Sequence, residues 1–223
     1  MTALSPRSMA LCVLLGAVAT TSPAQASTVD DNLMQAVNAI AEGDFDQARA
    51  LLTSAETGAP NETSILPGFT LAGIYYYQGV MEFFAGDKEQ AALDFWRKAL
   101  EKDLFFNWDT TLVADREAQA LFEALRSEVD SRTLLTIEAP TDEGLSLYLD
   151  GQAVKPRLEI VMGTHLAQVE CPDESTHGAW VVLGDELPDF RALCPGLEPT
   201  PAPVEEEESG KKKKKDKKKK KDK

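Results

Sequence analysis

Apolar residues recur at helical spacing through the first half of this chain and alternate with polar ones through much of the second. Leu33, Met34, Val37, Ile40 and Ala41 share one helical face, and Phe45, Ala48, Leu51, Leu52 and Ala55 form the stripe of a following helix. Gly43 stops the first helix. Asp44 can cap the second, with Gln47 three residues on as in a capping box. The same grammar returns 43 residues later. Leu71, Ile74, Tyr75 and Met81 lie on a helix ending at Gly86, Asp87 stands as cap, and Ala91, Ala92, Phe95, Trp96, Ala99 and Leu100 make the next stripe. The shared G-D-x-x-Q-A at Gly43 and Gly86 predicts two helical hairpins side by side. Residues 57–68, with Gly58, Pro60, Pro67 and Gly68, predict a loop between them. A further helix is predicted from about Thr111 to Val129, its Ala118, Leu121, Phe122 and Leu125 closing the open end of the second hairpin.

From Thr133 the period shortens to two. Residues 134–138, 145–149, 158–162, 165–171 and 179–183 are strand-length and rich in Leu, Val and Ile. Asp150-Gly151, Met162-Gly163-Thr164 and Pro172-Asp173 supply the turns. The order predicts an α+β fold: helical hairpins over 28–130, a small antiparallel β-sandwich over 133–194, and a Pro-rich linker with a disordered Lys-rich tail over 195–223. The step at 128–133 holds neither Pro nor Gly, which implies modules docked in one orientation.

The helical half resembles tetratricopeptide repeats over about 75 residues. Gly79 and Gly86 are seven apart, and Ala92, Trp96 and Ala99 follow that family's second-helix spacing. The period of 43 is longer than the family's, and Gly79 has no glycine counterpart in the first hairpin. The β half resembles a PEGA domain over about 35 residues. Pro140, Glu143 and Gly144 occupy the name motif, with Thr141 and Asp142 inserted and Leu145 where Ala is usual. Residues 147–151 match the strand and Asp-Gly turn that follow, Lys155-Pro156 falls near the family's Thr-Pro, and Gly163-Thr164-His165 matches its Gly-x-His. The resemblance implies an envelope-associated structural or binding module without catalytic activity.

Residues 1–26 read as an export signal. Arg7 is the positive start, residues 9–19 are an uncharged apolar run, and Ala24-Gln25-Ala26 is an A-x-A cleavage pattern. The run is too short to span a bilayer and no second one follows. The expectation is a mature chain starting near Ser27, periplasmic or secreted, with no transmembrane span.

The formal charge of −14 is unevenly spread. Residues 205–223 hold 11 Lys against 4 Glu and 2 Asp, which leaves the exported body at −20. An acidic body excludes nucleic acid as its partner. The tail has three readings: a solvated solubility segment, an anchor to anionic lipid or wall polymer, or a clamp on the acidic body.

Cys171 and Cys194 remain after signal removal, and an even pair in an oxidising compartment reads first as a disulfide. The rival reading, half of a metal site, has only His165 and His177 to complete it. Tyr75, Tyr76, Tyr77 and Trp108 are the candidate binding surface, against the plainer reading that they fill the core. The sequence carries no catalytic or nucleotide-binding motif, and no cofactor, metal or catalytic residue is expected. The expected function is a non-catalytic interaction or scaffold protein of the bacterial cell envelope, with envelope proteins as partners. The alternatives are a peptide- or glycan-binding module on the aromatic surface, or a tail-mediated anchor.

Overall fold

Among the described residues five α-helices precede six β-strands: α1 (Thr28–Glu42), α2 (Phe45–Gly58), α3 (Gly68–Ala85), α4 (Glu89–Lys102), α5 (Arg116–Asp130), then β1 (Leu134–Glu138), β2 (Ser146–Leu149), β3 (Gln152–Ala153), β4 (Arg157–Val161), β5 (Gly163–Glu170) and β6 (Thr176–Leu183). The computed structural model describes residues 28–85 and 89–197. The expected signal peptide, the Gly86-Asp87 turn and the segment 198–223 lie outside the described residues.

The α1–α2 turn forms as its residues dictate. Gly43 takes a left-handed φ of 81°, and the N–H groups of Gly43 and Asp44 return to the carbonyls of Ile40 and Ala39. Asp44 then accepts the Gln47 N–H at 3.0 Å and caps α2. α5 begins at Arg116 rather than near Thr111. The Asp109 carboxylate takes the Thr111 and Leu112 N–H groups into a separate turn, and Asp115 caps the helix through the Glu117 and Ala118 N–H groups. The helical core is aromatic: Tyr76, Trp96, Trp108 and Phe122 meet edge-on or tilted, with centroids 5.3 to 6.2 Å apart.

The strands form two separate antiparallel sheets, not the predicted sandwich. β1 pairs with β4, and the other four run in the order β3-β2-β5-β6. The physical reason lies in β5, where residues 165–169 are all buried, so both faces of the larger sheet are covered. On one face Leu147, Leu149, Ala167 and Val169 share a core with Ile137 and Ile160 of the smaller sheet. On the other face Leu166 packs with Val29, Ala55, Leu66, Leu71 and Ile74 of the helical module. Helices stand where a second full sheet would otherwise be needed.

The predicted loop over 57–68 continues α2 as a short 3-10 turn (Ala59–Asn61) and then lies along the larger sheet. Gln168 on β5 accepts the Leu66 N–H at 2.8 Å and donates to the Ser64 carbonyl at 3.0 Å. Cys171, just after β5, is bonded to Cys194, just after a 3-10 turn (Phe190–Leu193), and ties the C-terminal segment to the sheet.

Candidate functional site

Three ionisable side chains from distant segments meet at the seam between helices and sheet. Lys102 closes α4, Asp150 sits in the turn between β2 and β3, and His165 lies near the start of β5. Asp150 and Gly151 both have positive φ, 46° and 77°, the combination a tight two-residue hairpin needs. A side chain at Gly151 would place its Cβ 2.3 Å from the Leu66 carbonyl, so only glycine lets this turn approach the loop.

That turn aims Asp150 inward. Its Oδ1 accepts the Leu166 N–H at 2.8 Å, and its Oδ2 lies 2.5 Å from His165 Nδ1 and 3.3 Å from Lys102 Nζ. Lys102 also donates to the Thr164 carbonyl, and His165 Nε2 lies 2.9 Å from the Val161 carbonyl. All three side chains are buried, Lys102 at 2% exposure and the others at 0%. Burial pushes the Lys102 amine below the ordinary lysine value, and the Asp150 carboxylate opposes that fall. Trp180 covers the cluster: its ring centre is 5.6 Å from Lys102 Nζ and its indole N–H donates to the Glu56 carbonyl at 3.1 Å.

Both nitrogens of His165 face acceptors, and the cluster is shut off from solvent. Lys102 of the helical module and Asp150 of the β module pair across the seam, and removing either would leave the other buried without its counter-charge.

The surface opens elsewhere. A groove of about 670 Å³ runs between the α1–α2 turn, the C-terminal half of α3 and the segment leading into α5. Ile40, Phe45, Val80, Phe84, Leu112 and Val113 make it apolar, and Asp115 stands at its edge. Its volume falls in the range of ligand clefts.

The aromatic residues expected to form a binding surface lie largely inside. Tyr76 is fully buried, Tyr75 and Trp108 nearly so, and Tyr77 is partly buried. Their polar atoms are engaged: Tyr75 donates to Glu56, Tyr77 to Asp109, and Trp108 to the Val113 carbonyl. Burial first, and the neighbouring carboxylate second, push the Tyr75 and Tyr77 phenols well above the ordinary tyrosine range, so both remain donors. The strongly exposed aromatic residues are others, Phe69, Phe84 and Phe105. Three consecutive tyrosines do point in three directions, but each meets another element: Tyr75 meets Trp180, Tyr76 meets Trp108 and Tyr77 meets Asp109.

No protein family, curated protein or solved structure matches this chain. Its reading therefore rests on its own geometry. Among the described residues no group of three or more His, Cys, Asp and Glu is placed to hold a metal ion, and no helix is long and apolar enough to cross a membrane. Sequence reasoning singled out His165 and the Asp150-Gly151 turn but not their contact, and it passed over Lys102. The available signal was a lysine three residues after Ala99, on the apolar face of α4, where the pattern calls for a core residue.

Asp109 gives a test of the turn before α5. Burial pushes its carboxyl up, but hydrogen bonds from Thr111, Leu112 and Tyr77 outweigh this and hold it below the ordinary aspartate value. A depressed acid adds stability that is complete above its unfolded value of about 3.9 and is lost as the pH falls through the folded one. The melting temperature of the protein should therefore exceed that of Asp109→Asn at neutral pH, and the gap should close in acid. A gap independent of pH would mean that the charge of Asp109 does not matter.

Proposed function

We propose that this protein is a non-catalytic interaction or scaffold protein of the bacterial cell envelope, exported by a cleaved signal peptide. The observation that carries this reading is the seam between modules. A buried Lys102–Asp150–His165 cluster, the Gln168 bonds to the loop and the close approach at Gly151 hold helices and sheet in one orientation. A fixed relative orientation is what a platform for partners requires, and the enclosed charged residues serve that orientation instead of chemistry. The export signal and the disulfide suit an oxidising compartment.

A peptide-binding role is the second reading, favoured by the apolar groove on the helical module. It replaces the expected tyrosine surface with a different set of residues.

The test is affinity capture from envelope extract with the full chain and with the chain ended at Val204. The same protein partner retained by both is the expected result. If only lipid or wall polymer is retained, and only by the full chain, the Lys-rich tail is an anchor and the scaffold reading falls.

A further inference from the structure

The groove on the helical module has an acidic rim. Its floor is apolar and well packed, with Ile40, Val80 and Val113 all below a tenth exposed, while Phe84 at its side is 46% exposed. The chain that supplies Ala41 and Phe45 also carries Glu42, Asp44 and Asp46, all exposed. At the other wall Asp115 lines the groove, followed by the exposed Arg116 and Glu117, whose opposite charges offset each other. Asp44 and Asp115 each use one oxygen to cap a helix, which leaves their charge in place. Arg49 on α2 is drawn away to Glu82 at 2.7 Å. An apolar trough beside an excess of carboxylates, from Glu42, Asp44, Asp46 and Asp115, is complementary to one chemistry above others.

We infer that this groove docks a short cationic segment of a partner protein, one whose large apolar side chains alternate with Lys or Arg. The apolar side chains fill the space beside Phe84, Phe45 and Leu112, and the flanking cations meet Glu42 and Asp46. An acidic peptide would be repelled by the carboxylates of the α1–α2 turn. A run of lysine alone, such as residues 211–215 of this chain, has the charge but nothing to bury. The inference rests on the interaction reading above and names the partner's chemistry.

The experiment measures binding of three labelled synthetic peptides to the full chain by fluorescence anisotropy: alternating Lys and Leu, Lys alone, and alternating Glu and Leu. The Lys–Leu peptide should bind at least about tenfold more tightly than either other, since burying even one large side chain is worth that much. Phe84→Ser should weaken it about tenfold with an unchanged melting temperature, because Phe84 is half exposed. Glu42→Lys with Asp46→Lys should weaken it and flatten its salt dependence. Equal binding of Lys–Leu and Lys-only peptides, or indifference to Phe84→Ser, would overturn the inference. So would a zero-length cross-link from tail lysines to Glu42 or Asp46 that excludes the peptide. An envelope partner still captured by the Phe84→Ser protein would leave the scaffold reading standing while this groove fails.

Discussion

Replacing Asp150 with alanine should cost the fold about 3–5 kcal/mol, the loss expected when one partner of a buried ion pair is removed. The carboxylate serves three donors at once: Lys102 Nζ, His165 Nδ1 and the Leu166 N–H. All three donors are buried at the seam, where the Trp180 ring lies over Lys102. Lys102→Met should cost less. It removes the buried amine, puts an apolar chain of similar length in place, and leaves Asp150 bonded to His165 and Leu166. The double variant should be more stable than the sum of the two losses predicts, because the main harm in Asp150→Ala is the lysine left behind.

The pH dependence separates this cause from simple loss of packing. In Asp150→Ala the buried amine has lost the charge that opposed its fall, so it releases its proton well before the unfolded chain does at about pH 10.4. Between those two values the unfolded state binds more protons, and stability rises with pH. Urea unfolding should show the Asp150→Ala deficit narrowing as the pH is raised. A loss below about 1 kcal/mol, or a deficit that ignores pH, would show that the cluster does not secure the seam.

The second large effect lies in the helical core. Trp96 is fully buried against Trp108, Phe83 and Phe122, and its indole N–H donates to the Tyr76 carbonyl at 3.2 Å. Trp96→Ala should cost about 3–5 kcal/mol through lost burial and the cavity left behind. Gly79 is the other half of this contact. A Cβ there would sit 2.4 Å from two atoms of the Trp96 ring and 3.1 Å from the Ala92 carbonyl. Gly79→Ala alone should therefore destabilise by about 1–3 kcal/mol despite the better helix propensity of alanine. In the Trp96→Ala background the obstacle is gone, and Gly79→Ala should become neutral or stabilising. Thermal or urea unfolding of the four proteins measures that reversal of sign. If Gly79→Ala costs the same in both backgrounds, the tryptophan is not what requires the glycine.

Much of this architecture is written in short-range pattern. The periodicity near Leu33 and Phe45, the Gly43-Asp44 turn, the alternation after Thr133 and the Asp150-Gly151 hairpin each depend on residues a few positions apart. Helix spacing, capping and turn chemistry act at that range. The disulfide was legible for a different reason: of the three cysteines Cys12 falls in the expected signal, and the two that remain allow one pairing. By contrast, Thr111 looked like a helix start because apolar spacing alone does not register that Asp109 and Asp115 compete to organise the same stretch.

The sequence by itself determined the helix-then-strand order of the elements and the acidic body with its basic tail, because these follow from local pattern and composition. Only the tertiary structure decided which faces those elements cover. Burial on both sides of β5 turned an expected sandwich into a sheet backed by helices, and it drew Tyr75, Tyr76 and Trp108 inward while leaving Phe84 at an open groove. The seam cluster joins Lys102 to an aspartate 48 positions away, and no periodicity reaches that far. A buried charge finds its partner through the packing of whole modules, and that packing is a property of the assembled surfaces rather than of any stretch of chain.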